Sequence, residues 1–160
     1  MSTEGDQADH LVFPTVEARS LDGRTITLPA ELEADLNLLA VAFHRHHQSD
    51  VDSWSEEFAA LEDAHGVVTY EVPTISGRWG PARRFIDGGM ATAIKDAKVR
   101  AHTLTVYGNT SRMTDGLNLP DRDRIAVVLC HREGEVSWLG RGPRTEQLAA
   151  DLRSVLEAPT

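Results

Sequence analysis

Three histidines and a glutamine follow an apolar segment directly in FHRHHQSDVDSW, residues 43–54. His44 and His46 are two residues apart, so on an extended segment their side chains share a face, and His47 can turn toward them. Neutral imidazole is a common zinc ligand, but no H-E-x-x-H or C-x-x-C spacing accompanies these three. A metal would need a further ligand such as His102. The alternative is solvated or hydrogen-bonded histidines at the end of a strand, and we expect no bound metal or other cofactor.

Cys130, the single cysteine, ends the apolar run IAVVLC. A reactive thiol needs an exposed, electropositive setting that lowers its pKa. His131 and Arg132 follow directly, but neighbouring residues of a strand point to opposite faces, which weakens any contact with His131. We therefore expect a buried structural cysteine. A one-cysteine peroxidase or redox regulator is the alternative, and a disulfide within the chain is excluded.

A third candidate is the segment RWGPARR, with Arg78, Trp79 and Arg83 at a helix start near Pro81. Arginines and helix N-termini attract anions, and an exposed tryptophan beside arginines is common at protein interfaces. The segment could bind a phosphate, a carboxylate or an acidic partner; the alternative is a solvated helix face. No phosphate loop, nucleophile elbow or dinucleotide fingerprint is present.

Composition limits the class of protein. The chain has 160 residues, 41% hydrophobic and 26% charged, with a net charge of −9. These values fit a single soluble domain over residues 11–160, and the acidity makes nucleic acid an unlikely partner. Residues 1–10 are polar and acidic, which predicts a disordered tail rather than a targeting segment. The longest apolar run, residues 38–43, is too short to cross a membrane, so we expect a cytoplasmic location.

The elements that position these residues follow from periodicity and turn signals. Asp22-Gly23 predicts a hairpin within residues 11–28, and Ser53 with Glu56 matches a capping box that would start a helix ended by Gly66. A closing helix is expected after Pro143, with Leu148, Leu152, Val155 and Leu156 on one face. Further predicted strands cover 37–43, 67–72 (ended by Pro73), 102–108, 124–130 and 135–140, with helices from Pro81 and over 111–117.

This order resembles the thioredoxin-like superfamily in its peroxiredoxin and thiol-reductase branch. The segment LDGRTITLP is similar to the branch's N-terminal hairpin, and VVLCHREGEVSWLGRG is similar to its final two strands. The resemblance covers about residues 13 to 157. It implies an α/β fold, a mixed sheet sandwiched by helices with an N-terminal β-hairpin.

The same resemblance implies that the redox centre is absent. Counting from Phe43 places Gln48 and Val51 at the two cysteine positions of the family's C-x-x-C motif. The family also has a proline before the penultimate strand, where Asp123 and Arg124 stand here; the nearest proline is Pro120. Thiol–disulfide activity is therefore not expected.

A narrower resemblance links FPTVEARSLDGRTITLP, AFHRHHQSDVDSW and RRFIDGGM to prokaryotic relatives of a mitochondrial ATP synthase assembly factor family. It implies a non-catalytic binding protein, an assembly or chaperone-like factor with an unidentified protein partner. We expect the loops 44–53, 73–80 and 119–124 to meet where the parallel strands end. The predicted partner-binding residues there are His46, His47, Gln48, Arg78, Trp79 and Arg83.

Overall fold

The computed structural model of the chain describes residues 11–75 and 97–158. The tail predicted over residues 1–10 and most of the helix predicted from Pro81 lie outside these residues, as do Arg78, Trp79 and Arg83. Within the described ranges, no helix is long and apolar enough to cross a membrane.

One mixed sheet organises the described residues. The central strands run parallel, β3 beside β4 and β4 beside β5, whereas β6 and β7 add antiparallel pairs beside β3, and β1 and β2 add an antiparallel hairpin beside β5. The order across the sheet is β2-β1-β5-β4-β3-β6-β7. The strands are β1 Val16–Ser20, β2 Thr25–Leu28, β3 Leu36–Ala42, β4 Val68–Ile75, β5 Leu104–Tyr107, β6 Ala126–His131 and β7 Val136–Arg141.

Helices cover both faces of this sheet. On one face α2 and α5 pack against Leu38 and Val127, and on the other α4 packs with the hairpin against Leu39 and Val128. Strand β3 is apolar except for Asn37, as is typical of a strand that is buried on both faces. The helices are α1 Gln48–Asp52, α2 Ser55–His65, α3 Ala97–Ala101, α4 Thr110–Gly116 and α5 Glu146–Glu157, and a 3₁₀ turn spans Arg45–His47.

The turn signals predicted from sequence are confirmed. Gly23 joins β1 and β2 at a φ of +94°, and Gly66 ends α2 at a φ of +70°. Both values lie in the left-handed region that glycine adopts without a steric penalty. The predicted hairpin and the end of the predicted helix therefore stand where the sequence placed them.

The capping box at Ser53 is wrong. Ser53 ends α1, and α2 begins two residues later with no side-chain cap at Trp54. The Ser53 hydroxyl instead donates to the Asp50 carbonyl at 2.6 Å and accepts from the Arg144 backbone N–H at 2.9 Å. A contact from 91 residues away thus uses the hydroxyl that the local pattern assigned to a cap.

Pro73 does not end β4, which continues to Ile75. The pairing with β5 has the same register on both sides of Pro73, since Glu71 bridges to Thr103 and Thr74 and Ile75 pair with Val106 and Tyr107. Pro73 lies opposite Ala42 of β3. The proline therefore does not interrupt the pairing of β4 with its two neighbours.

Candidate functional site

The candidate site lies where β3 ends. The buried strand runs into Phe43, the chain tightens through the 3₁₀ turn, and α1 begins at Gln48. Because β6 runs antiparallel to β3, the 121–125 loop that precedes it comes to the same edge of the sheet. Two of the three loops predicted to meet are thus brought together; most of the third, 73–80, is outside the described residues.

His47 joins these two loops. Its side chain is buried, with 1% of the residue exposed. The Phe43 backbone N–H donates to Nδ1 at 3.1 Å, and Nε2 lies 3.1 Å from the Asp123 carbonyl oxygen. Since Nδ1 accepts, the proton of the neutral ring is on Nε2, which donates to Asp123. Burial lowers the pKa of His47, and the neighbouring His44 and His46 lower it further.

His44 and His46 are exposed and flank this ring. Their own rings are stacked, with centroids 5.2 Å apart, and each meets the His47 ring edge-on at 5.0 and 4.7 Å. Among the described residues, no group of three or more His, Cys, Asp or Glu side chains is placed to hold a metal ion. Both His47 nitrogens are already occupied by backbone groups, so the three histidines form an aromatic cluster.

Gln48 and Val51 lie three residues apart in α1. Gln48 is exposed and its amide donates to Asp52 Oδ1 at 2.9 Å and to Glu71 Oε1 at 3.3 Å, whereas Val51 is buried. Burial raises the pKa of Glu71, an effect that its Gln48 hydrogen bond opposes and Asp52 reinforces. The two positions matched to family cysteines therefore carry an amide and a methyl pair, without a nucleophile.

An open recess of about 220 Å³ is lined by Glu71, the residue that Gln48 contacts. It lies between α2, the first half of β4, and α3 with the segment that follows it. Both apolar and hydrogen-bonding groups line it, including Phe58, Glu62, Thr69, Glu71, Val99 and Thr103.

Besides His47, Arg141 of β7 also holds the 121–125 loop in place. Its guanidinium donates to the carbonyls of Asp121, Arg124 and Ile125 at 3.3, 2.8 and 3.1 Å. The Asp123 backbone N–H donates to Asp121 Oδ1, and this bond, with the nearby Arg141, lowers the pKa of Asp121. The loop is thus held through its backbone carbonyls, and it contains Asp123 and Arg124, the residues that the resemblance matches to the family's proline.

Cys130 is fully buried in the core on the hairpin side of the sheet. Burial raises its pKa to about 12. His131 is half exposed, and its Nε2 lies 3.2 Å from the Ser137 hydroxyl. The thiol and the imidazole therefore lie in separate environments, as strand alternation predicts.

Sequence reasoning missed three residues of this site. Asp123 acts through its backbone carbonyl, and the Arg141 guanidinium donates to backbone carbonyls; residue type does not reveal a backbone acceptor. Glu71 did leave a signal, because it is the one charged residue in the strand-like run VVTYEV. A carboxyl within a buried strand is uncommon unless it is paired or performs a function.

Comparisons with known proteins support the fold. No protein-family model and no curated protein matches the chain. Among solved structures, yeast Sco1 with copper bound is 12% identical, covers 94% of each chain and has a TM-score of 0.61. StoA from Bacillus subtilis is 11% identical, covers 92% of this chain and 99% of its own, and has a TM-score of 0.54.

BsSco, a member of the Sco family of cytochrome c oxidase assembly proteins, is 10% identical, with 93% and 95% coverage and a TM-score of 0.60. At such identities these likenesses establish the fold alone. The chain has a thioredoxin-like α/β fold, as the sequence predicts.

Proposed function

We propose that this chain is a non-catalytic polypeptide-binding protein that acts as an assembly or chaperone-like factor. The observation that carries the proposal is the pair Gln48 and Val51 at the start of α1. The first is exposed and the second buried one turn later. The helix start is retained while thiol chemistry is lost, which leaves a surface able to bind but not to exchange disulfides.

The proposed binding surface comprises His44, His46 and Gln48 with the recess beside Glu71. It combines aromatic area, hydrogen-bonding groups and partial exposure, a mixture common at protein interfaces. The proposal assigns Arg78, Trp79 and Arg83 to the same surface. His47, being buried, positions the surface and does not reach the partner directly.

The fold neighbours agree with either an assembly or a redox role. BsSco is described as an assembly protein, whereas another neighbour is a thiol:disulfide interchange protein from Bacteroides sp.. Cys130 favours the assembly role over the redox role for this chain, because a thiol with a pKa of about 12 is protonated at neutral pH and is a poor nucleophile. The resemblance to relatives of the ATP synthase assembly factor belongs to the same proposal.

Affinity purification from the native host, followed by binding measurements with the purified partner, tests this function. We expect His46→Glu, Trp79→Ala and Arg83→Glu each to weaken the partner's Kd by about tenfold, the effect of losing an interface hot spot. Arg132→Glu is the matched control. It makes the same charge change as Arg83→Glu but lies past β6, at the other end of the sheet.

Circular dichroism must show that every variant is folded. If the three site variants bind like the parent while Arg132→Glu does not, the surface is misplaced. The protein is also expected to leave insulin-type disulfides intact and to consume no peroxide catalytically. Peroxide turnover that Cys130→Ser abolishes would replace the binding proposal with the one-cysteine alternative.

A further inference from the structure

The contact between the 3₁₀ turn and the 121–125 loop passes through one imidazole ring. His47 accepts from the Phe43 N–H on one side and donates to the Asp123 carbonyl on the other. Only a neutral imidazole presents one acceptor and one donor in this way. The protonated ring has two N–H groups, so its Nδ1–H would face the Phe43 N–H and the contact could not persist.

The surroundings of His47 bear on this protonation. From its own turn, His44 and His46 lie close enough to oppose a positive charge, while Asp50 of α1 favours one. The 121–125 loop contributes the Asp123 carbonyl, which also favours a proton on the ring. Burial is the largest influence and lowers the pKa of His47. The neutral ring is therefore the form that the folded protein holds.

We propose that His47 is a pH-sensitive latch: its neutral ring fastens the 121–125 loop to the end of β3, and protonation turns the ring outward and frees Asp123 from that edge. Arg141 still holds Asp121 and Arg124 after release, because a guanidinium does not titrate in this range. The opening is thus confined to the segment beside the candidate binding surface. It needs no partner, so the latch and the proposed binding function can fail independently.

The direction of the pH effect follows from linkage. A histidine that ordinarily titrates near 6.5 and has a lowered pKa in the latched state stabilises that state fully above pH 6.5. As pH falls from 6.5 toward the latched-state pKa, the open state binds the proton first. The latch equilibrium then shifts toward opening by about tenfold per pH unit.

Amide hydrogen exchange followed by NMR measures this opening. Between pH 7 and pH 5 we expect the protection factor of the Phe43 amide to fall, while that of Leu39, in the centre of the sheet, stays constant. In His47→Gln, whose amide does not titrate, the Phe43 protection factor should not depend on pH. The matched control, His44→Gln/His46→Gln, keeps the His47 contacts and should show a decline that begins at the same pH but is smaller, since two neighbours that oppose the proton are gone and the latched-state pKa of His47 moves back toward 6.5.

The ring itself gives a second measurement that does not depend on the variants folding. In the parent, NMR titration should show His47 neutral with its proton on Nε2 at pH 7 and with a pKa below the usual 6.5. A Phe43 protection factor that does not change with pH, an equal decline in His47→Gln, or a His47 ring with its proton on Nδ1 would each overturn the latch.

Discussion

The side chains of the candidate site divide by burial into exposed groups, which the proposal assigns to partner contact, and buried groups, which it assigns to positioning. His44, His46 and Gln48 are exposed, whereas His47 and Val51 are buried beneath them. Substituting an exposed group should change binding and leave stability nearly unaltered, since surface substitutions usually change the free energy of unfolding by less than about 0.5 kcal/mol. Substituting a buried group should change both partner binding and the free energy of unfolding.

Cys130 provides a prediction at this scale. At pH 8 a thiol with a pKa of about 12 is ionised in only about one molecule in ten thousand, and this one is also inaccessible. We expect negligible alkylation of Cys130 in the folded protein over a period that fully labels the exposed thiol of Gln48→Cys/Cys130→Ala. Mass spectrometry of both proteins under one set of conditions makes the comparison. Labelling of Cys130 at the rate of the exposed thiol would contradict it.

Residue type alone indicates the chemistry of the site only in part. The histidine cluster stands out in the sequence, but its division into one buried and two exposed rings depends on Asp123, 76 residues away along the chain from His47. That partner is a backbone carbonyl, which every residue carries. Sequence can therefore locate the cluster without assigning its hydrogen bonds.

At the scale of elements, the predicted order holds because the central strands β3 and β6 are largely apolar and are buried on both faces. The predicted ends of helices and strands are wrong where residues distant in sequence make contacts there. The Arg144 backbone N–H donates to the Ser53 hydroxyl, and β4 continues past Pro73 because it pairs with β3 as far as Pro73 and with β5 on both sides of it. Both errors come from tertiary contacts that a local pattern does not contain.

Helix α1 can be tested for the geometry of the C-x-x-C motif that the resemblance places at Gln48 and Val51. Gln48 and Val51 are three residues apart in one helix, which places their Cα atoms about 5 Å apart, within the usual range for a disulfide. In a Cys130→Ala background, Gln48→Cys/Val51→Cys should form an intramolecular disulfide under mild oxidant. Mass spectrometry should find two hydrogens lost and no free thiol.

The single variant Gln48→Cys in the same background is the control and can form only intermolecular bonds. If the double variant remains reduced, or forms only dimers, α1 does not retain the geometry of a C-x-x-C helix start.

A carboxylate fastens α2 to α5. Glu57, with 5% of its side chain exposed, accepts from Arg153 at 2.6 and 2.9 Å and from Arg144 at 3.0 and 3.1 Å. We expect Glu57→Gln to lower the free energy of unfolding at pH 7 by about 2 kcal/mol, typical of lost hydrogen bonds to charged groups. Glu146→Gln changes an exposed carboxylate that also binds Arg144 and should cost less than about 0.5 kcal/mol.

The pH dependence separates this effect from a packing defect. Hydrogen bonds from Arg153, and then from Arg144, lower the pKa of Glu57 below its usual 4.5. Its stabilisation is therefore complete above pH 4.5 and is lost as pH falls through the folded-state pKa. Urea denaturation should show the difference between parent and Glu57→Gln shrinking below pH 4.5. A difference that does not change with pH would contradict the ionic contribution.

At the scale of the whole molecule, two cores share one set of strands. Leu38 and Val127 face α2 and α5, while their neighbours Leu39 and Val128 face the hairpin and α4. Because alternate residues of the same strands serve opposite faces, neither core can be lost while the other keeps its sheet. The single domain expected from chain length stays a prediction, and cooperative unfolding is its test.

Two truncations provide this test: Leu28→Ala in the core on the hairpin face, and Leu152→Ala in the core on the face covered by α2 and α5. Both side chains are fully buried, so each truncation should lower the free energy of unfolding by about 2 to 5 kcal/mol. In each variant the transitions seen by far-ultraviolet circular dichroism and by tryptophan fluorescence should coincide. Trp54 makes fluorescence a probe of the face covered by α2 and α5. Its side chain is fully buried there, and its indole N–H donates to the Gly142 carbonyl at 3.1 Å. If Leu28→Ala shifts the dichroism midpoint but leaves the fluorescence midpoint unchanged, the two faces unfold separately and the sheet does not couple them.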